Sequence, residues 1–342
     1  MGGYHRLGLL SPGEWPLRIA GSGATRPRAS VSSAEIDARC ERPAGWTAAH
    51  FAIQQRGVAQ ADETTSQLAA AAAQAALDAA GWAAEDIDLL ISACGVMEQP
   101  IPGTAALIQR RLGLGGSGIP AFDVNATCLS FLVALDLIAM GMRVGRWRRV
   151  LLVSADIASA ALDFSDPEAS VIFGDGAAAV ALEAADGPSG LLAYRFETYG
   201  EEADLCRLEA GGTRLRPRDD LQGFLDLARF QMDGPGVFRA AARRFPKFLD
   251  ALLTEANIEI ADIDLVVPHQ ASAAALEHLR RVLRVSPDRM VNIFADHGNQ
   301  IAASMPSALH AAIAEGRVTR GDRLLLVGTA AGLSLGAAIL QY

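Results

Sequence analysis

Cysteine is scarce in this chain. Its four residues of that type, Cys40, Cys94, Cys128 and Cys206, stand far apart with no C-x-x-C pair. That spacing excludes a cysteine-based zinc site and a disulfide framework, and it fits a reducing cytoplasm. Positive charge is not in excess either. The formal net charge of 342 residues is −9, which argues against general nucleic-acid binding. No apolar run reaches membrane-spanning length, and the longest, Leu129 to Met142, is broken by Asp136. A secretory signal is missing, because His5, Arg6 and Glu14 flank only a short apolar patch. The expectation is a cytoplasmic protein with no membrane or nucleic-acid partner.

What is present is a well-packed α/β composition, 51% hydrophobic and 20% charged. The length allows one large domain or two fused halves. Residues 1–16 read as a loose extension and Leu17 to Gly21 as the first strand. Thr64 to Ala80 is an alanine-rich helix stopped by Gly81. Strands are expected at Ile87 to Ala93, Phe122 to Val124, Val150 to Ala155, and on both sides of Gly174-Asp175-Gly176, as Val171 to Phe173 and Ala177 to Leu182. A faint repeat runs through the chain. Asp86-Ile87-Asp88-Leu89-Leu90-Ile91 returns as Asp262-Ile263-Asp264-Leu265-Val266-Val267, and Arg149-Val150-Leu151-Leu152-Val153 returns as Arg323-Leu324-Leu325-Leu326-Val327. The offsets are nearly equal, so the chain reads as two similar α/β halves. They span 17–185, with a candidate nucleophile, and 223–342, with a candidate histidine and asparagine. Residues 186–222 form a connecting segment.

The nucleophile candidate is Cys128, in Asp123-Val124-Asn125-Ala126-Thr127-Cys128-Leu129-Ser130-Phe131. A strand end passes here into a buried helix, with Cys128 expected in its first turn. Free N–H groups and the positive dipole end of a helix favour thiolate and offer donors to an oxyanion. A small buried hydrophobe is the ordinary role of a lone cysteine. Shifting Cys128 by the repeat offset lands near residue 303, just past Gly298-Asn299-Gln300-Ile301, so the two helix starts are expected at equivalent positions. A third segment, Val267-Pro268-His269-Gln270-Ala271-Ser272, ends a strand with a histidine, where open α/β sheets place their sites. His297 reads as structural, and Asn299 alone reads as a helix cap.

Together Cys128, His269 and Asn299 suit one reaction. A thiolate takes an acyl group from a thioester. A malonyl-type thioester loses CO2, and the resulting enolate oxygen needs donors that His269 and Asn299 can supply. The later tetrahedral oxyanion can use the Cys128 N–H and the turn Thr329-Ala330-Ala331-Gly332, with Ala331 and Gly332 as candidates. Neither a metal nor another cofactor is called for.

These segments, with Ile172-Phe173-Gly174-Asp175-Gly176, His297-Gly298-Asn299, Ala302-Ala303-Ser304 and the closing Gly332 to Tyr342, resemble the thiolase superfamily and within it β-ketoacyl-acyl-carrier-protein synthase III. The resemblance implies a thiolase-like five-layered αβαβα fold built from two pseudo-equivalent halves. It also implies acyl thioesters of coenzyme A or acyl carrier protein as substrates, a homodimer, a Cys128-His269-Asn299 triad, and a pantetheine tunnel involving Trp46, Ser272, Gly234 and Phe238. The chain departs from the family pattern at His50, at Ser165 to Ala169, at Ser272 and at Ala274, where basic or amide residues that hold coenzyme A or the carrier protein are expected. A specialised primer in secondary metabolism, not acetyl-CoA, is the resulting expectation. Ile101, Leu162 and Leu205 are candidates for shaping its pocket. Arg239 and Arg243 on one helix, with neighbouring Arg244, and Arg280 and Arg281 on another, followed by Arg284, are expected to receive an acidic carrier protein. Two other readings remain at this level: acyl transfer to an oxygen or nitrogen nucleophile without decarboxylation, and a non-catalytic partner subunit.

Overall fold

The structure, a computed structural model, describes residues 15–342; most of the expected N-terminal extension lies outside them. Two sheets form its frame. The first contains β1 (Arg18–Thr25), β2 (Leu89–Ser92), β3 (Ala121–Asp123), β4 (Arg149–Asp156) and β5 (Gly176–Glu183), in the order β1-β5-β4-β2-β3. The second contains β6 (Gly190–Thr198), β7 (Leu265–Pro268), β8 (Arg323–Ala330) and β9 (Ser334–Gln341), in the order β7-β8-β9-β6. Both run antiparallel, antiparallel, parallel from the β1 or β6 edge. Where β3 pairs with β2, the second sheet has a single parallel bridge between Val266 and Met290. The repeat in the sequence is thus a repeat of topology.

Six longer helices complete the layers: α1 (Thr65–Ala80), α2 (Thr104–Arg111), α3 (Ser130–Arg143), α4 (Gly234–Ala256), α5 (Ala273–Leu283) and α6 (Ser304–Ala314). Helix α1 packs on β1, β4 and β5 from outside, and α4 packs on β6 and β9. Between the sheets, α3 touches β4, β6 and β9, while α6 touches β1, β5 and β7. The result is αβαβα. The central helices are apolar on most sides, as burial between two sheets requires. Phe131, Leu132, Leu135 and Ile138 of α3 are at most 1% exposed, each contributing about 1.5–3 kcal/mol by burial.

Local chemistry sets the outer helix. Thr64 and Gln67 form a reciprocal capping box at the start of α1, and Gly81, at φ +69°, ends it. Its alanines Ala72 and Ala76 lie directly on β1. A Cβ on Gly23 would come within 2.5 Å of the Ala72 carbonyl oxygen, and one on Gly21 within 2.4 Å of that of Ala76. The small-residue stripe is therefore close packing between helix and strand.

Three sequence expectations differ from the structure. Helix α3 starts at Ser130 with Leu129 as its cap, so Cys128 precedes the first turn. Val171 to Phe173 form a turn, not a strand, tied to the second half by a bridge from Phe173 to Asn299. Residues 186–222, expected to connect the halves, carry β6, which completes the second sheet along β9.

Candidate active site

Cys128 and Asn299 lie in two copies of one turn. In the first, the Asn125 side-chain oxygen accepts from the Thr127 N–H (2.9 Å), and Ser130 Oγ accepts from the Ala126 N–H (2.9 Å). In the second, the Asn299 oxygen accepts from the Ile301 N–H (2.9 Å), and Ser304 Oγ accepts from the Gln300 N–H (2.8 Å). Corresponding residues are 174 positions apart, as in 125 and 299 or 130 and 304. Asn299 Oδ1 thus faces the backbone, and its Nδ2 donates one hydrogen to the Ala271 carbonyl (3.3 Å). The second amide hydrogen remains for a ligand.

His269 follows the end of β7, its N–H donating to the Val327 carbonyl of β8 (2.8 Å). It is 5% exposed. Gly328 backs it closely: a Cβ there would stand 2.6 Å from His269 Cβ and 3.1 Å from Leu129 Cδ2. The turn after β8 brings Ala331 against the cysteine. The backbone N–H groups of Ala331 and of Cys128 itself reach the sulfur.

All four residues line one cavity of about 750 Å³, and its walls are mostly apolar. Burial dominates the electrostatics. It pushes the Cys128 thiol up to about 12, with Asp156 and Cys206 adding and the two N–H groups opposing. It also pushes the His269 imidazole down to about 4. The resting pair is neutral thiol and neutral imidazole, so burial outweighs the help expected from the helix start. His269 Nδ1 is buried and has no hydrogen-bond partner among the described residues.

The second half is locked onto the first by the Gly174-Asp175-Gly176 turn. The Asn299 N–H donates to the Ile172 carbonyl (2.7 Å), and the Gly174 N–H donates to the Asn299 carbonyl (3.1 Å). A Cβ on Gly174 would meet the His297 carbonyl oxygen at 2.2 Å. His297 itself is structural: its Nδ1–H donates to the Ile293 carbonyl (3.0 Å), as expected of the residue before a chain-turning glycine. Asp156, at the end of β4, went unnoticed in the sequence. It is fully buried and accepts from the N–H groups of Gly95 (2.8 Å), Val96 (2.7 Å) and Ala303 (3.1 Å). It therefore ties the loop after β2 to the helix start that carries Asn299. Its only sequence signal is an acid closing the buried, uncharged run Val150 to Ala155.

The family models for 3-oxoacyl-[acyl-carrier-protein (ACP)] synthase III match residues 122–200 and, for its C-terminal part, 253–342. The β-ketoacyl-[acyl-carrier-protein] synthase III of Neisseria meningitidis serogroup C is 37% identical over 326 residues, covering 95% of this chain and 99% of that protein. The corresponding protein of Erythrobacter litoralis is 36% identical over 327 residues, covering 95% and 98%. The crystal structure of 3-oxoacyl-[acyl-carrier-protein] synthase III from Aquifex aeolicus gives a TM-score of 0.86 at 31% identity, covering 95% of this chain and 100% of that one. The chain belongs to the β-ketoacyl-acyl-carrier-protein synthase III family. It is an acyltransferase that catalyses decarboxylative Claisen condensation on a thiolase-like fold.

Among the tunnel residues expected for a synthase III, Ser272, Gly234 and Phe238 line the cavity. Ser272 also caps α5, its Oγ accepting from the Ala275 N–H (3.2 Å). Trp46 does not line it; it packs behind His50 (5.0 Å between ring centroids) and Phe51 (5.4 Å), which do. Gly332 is not in the lining, whereas Ala331 is. Leu162 is a wall residue, while Ile101 is 85% exposed and Leu205 lies outside the lining. None of Arg239, Arg243, Arg280 and Arg281 lines the cavity. Arg280 and Arg281 both pair with Glu277 (2.8 and 2.6 Å), and Arg243 and Arg244 with Glu202 (3.3 and 3.1 Å). Among the described residues no helix is long and apolar enough to cross a membrane, and no cluster of three or more His, Cys, Asp or Glu is arranged to hold a metal.

Proposed function

We propose that Cys128 carries the acyl group, that His269 and Asn299 hold the malonyl-derived enolate, and that the N–H groups of Cys128 and Ala331 receive the tetrahedral oxyanion. The supporting observation is their convergence on one largely apolar cavity, with a donor from Asn299 left unused. In the first half-reaction the Cys128 sulfur bonds to the acyl carbon and the bond to the pantetheine sulfur breaks. The thiol proton ends on the departing sulfur. In the second, the malonyl C–CO2 bond breaks and its electrons pass into the thioester carbonyl. His269 Nε2–H and the free Asn299 Nδ2 hydrogen donate to the enolate oxygen. The enolate carbon bonds to the acyl carbon, collapse of the adduct breaks the bond from that carbon to the Cys128 sulfur, and the released thiolate takes a proton from solvent. A neutral imidazole suits this donor role, and no metal or other cofactor takes part.

The working unit in this reading is a homodimer. Strand β3 is a sheet edge, and Phe122 on it, with nearby Val96 and Met97, is an exposed apolar side chain. A reducing cytoplasm suits the free cysteines. The primer is a specialised acyl group and not acetyl-CoA, because His50, Ser272 and Ala274 stand where grips for coenzyme A or the carrier protein are expected. Labelled malonyl thioester and intact-mass analysis test the assignment. Acyl mass on Cys128 that disappears in Cys128→Ala, with CO2 release lost in Asn299→Ala while loading persists, is the expected pattern. Acylation without CO2 release in the native enzyme would favour simple acyl transfer instead.

A further inference from the structure

The segment between the halves contributes a wall to the cavity. Cys206–Arg207 pairs with Gln231–Met232 as a two-stranded ribbon, with Cys206 opposite Met232. Cys206, Met232 and Phe230 from this ribbon all line the cavity that contains Cys128. Cys206 and Cys128 line the same cavity, so a small thiol side chain occupies wall space in the pocket of the nucleophile. Next to the ribbon, the Phe230 N–H donates to the Ala161 carbonyl (2.9 Å), and Ala161 is another small lining residue. Among the described residues no acidic side chain lines the cavity, and Arg207 is the one arginine that does. Beside Cys206, the side chains of Met232, Phe230 and Ala161 offer a bound chain mainly apolar contact.

The volume sets the scale. A methylene fills close to the roughly 30 Å³ of one liquid water, so a chain of roughly ten carbons needs on the order of 300 Å³. The remainder of about 750 Å³ accommodates a pantetheine arm. We propose that the group loaded on Cys128 is an acyl chain longer than acetyl, of up to about twelve carbons, that it lies against the ribbon at Cys206 and Met232, and that the small side chains of Cys206 and Ala161 set its length. The proposal rests on Cys128 being the acylated residue. Each methylene seated in such a wall raises transfer several-fold, up to the length at which the wall ends.

The test uses acyl-pantetheine thioesters of graded length, which carry the arm but neither coenzyme A nor the carrier protein. Peptide mapping locates the acyl group and intact mass gives the rate, in the native enzyme, Cys206→Phe, Cys206→Ala and Ala161→Leu. Decanoyl transfer to Cys128 should exceed acetyl transfer about tenfold or more. Cys206→Phe should lower the decanoyl-to-acetyl ratio by about tenfold or more, while Cys206→Ala should preserve it. Ala161→Leu reads the same ratio from the adjoining part of the wall should Cys206→Phe not fold, and it should lower it too. Acetyl transfer to Cys128 equal to or faster than decanoyl transfer overturns the chain-length proposal and leaves the condensation reading intact. So does an unchanged ratio in a folded Cys206→Phe or Ala161→Leu enzyme. Absence of every acyl group from Cys128 overturns both.

Discussion

Thr127 and Ile301 adopt the same left-handed backbone, each at φ +51°. Each follows its asparagine by two positions and receives that asparagine's side-chain oxygen on its N–H. For a β-branched residue this conformation is strained, costing on the order of 1–2 kcal/mol. The strain aims Cys128 and the Asn299 side chain into one space, so local instability serves geometry.

Thr127→Gly tests that trade. Glycine removes the strain and also removes a buried hydroxyl with no hydrogen-bond partner among the described residues. The unfolding temperature should stay level or rise by a few degrees. Acyl loading of Cys128 should fall several-fold, because the turn no longer holds one conformation. A large drop in thermal stability would show that the threonine side chain supports the fold.

Asp156 gives a stability prediction with a definite sign. Burial raises its carboxyl to about 7 despite several backbone N–H donors. In the unfolded chain it titrates near its ordinary value, so between about pH 4 and 7 the folded state binds the extra proton. The stability it contributes is therefore present below about pH 4 and is lost as pH climbs through about 7. Urea unfolding of the native protein and Asp156→Asn, compared at pH 5 and pH 8, should show native stability falling relative to the variant, by up to a few kcal/mol. A relative gain at pH 8 would reverse the assignment.

The same carboxylate opposes ionisation of Cys128, whose thiol sits near 12. Alkylation of Cys128 by iodoacetamide should rise about tenfold per pH unit between pH 7 and 9, without a plateau. Asp156→Asn should speed it at each pH above 7, where Asp156 is charged. A plateau below pH 8 would mean that the resting enzyme already holds a thiolate.

Much of the site was legible because it is built from repeated backbone motifs. Two copies of an Asn-to-Ser turn at one offset leave a trace in sequence, as do the paired strands β2 and β7. Other features left weaker traces. Strand β6 is mostly half-buried along Gly190–Thr198, so it has no continuous apolar run to mark it. Helix α3 begins after Cys128 and not around it, because the left-handed turn at Thr127 delays helical geometry until Ser130. The partners of Asp156 are backbone N–H groups from the loop after β2 and from the second half, which no local pattern reveals. The pairing of Arg280 and Arg281 was available in principle, since Glu277 precedes them by three and four positions.

That pairing redistributes the expected carrier-protein contacts. Glu277 is held down to about 2 by Arg280 and Arg281, so one of the two positive charges of this group is offset and both guanidinium groups are held in ion pairs. Arg239 is exposed, on α4 next to the cavity-lining Phe238, and makes no ion pair among the described residues. It is the better candidate to meet an acidic carrier protein. Arg239→Glu should raise KM for carrier-protein thioesters several-fold, with the effect shrinking as salt increases. KM for the small pantetheine thioesters should not change. Arg281→Glu should have a smaller effect on the carrier-protein substrate, because Glu277, shared with Arg280, already holds it in an ion pair. Equal effects of the two reversals, or an Arg239→Glu effect that also appears with pantetheine thioesters, would remove Arg239 from the docking surface.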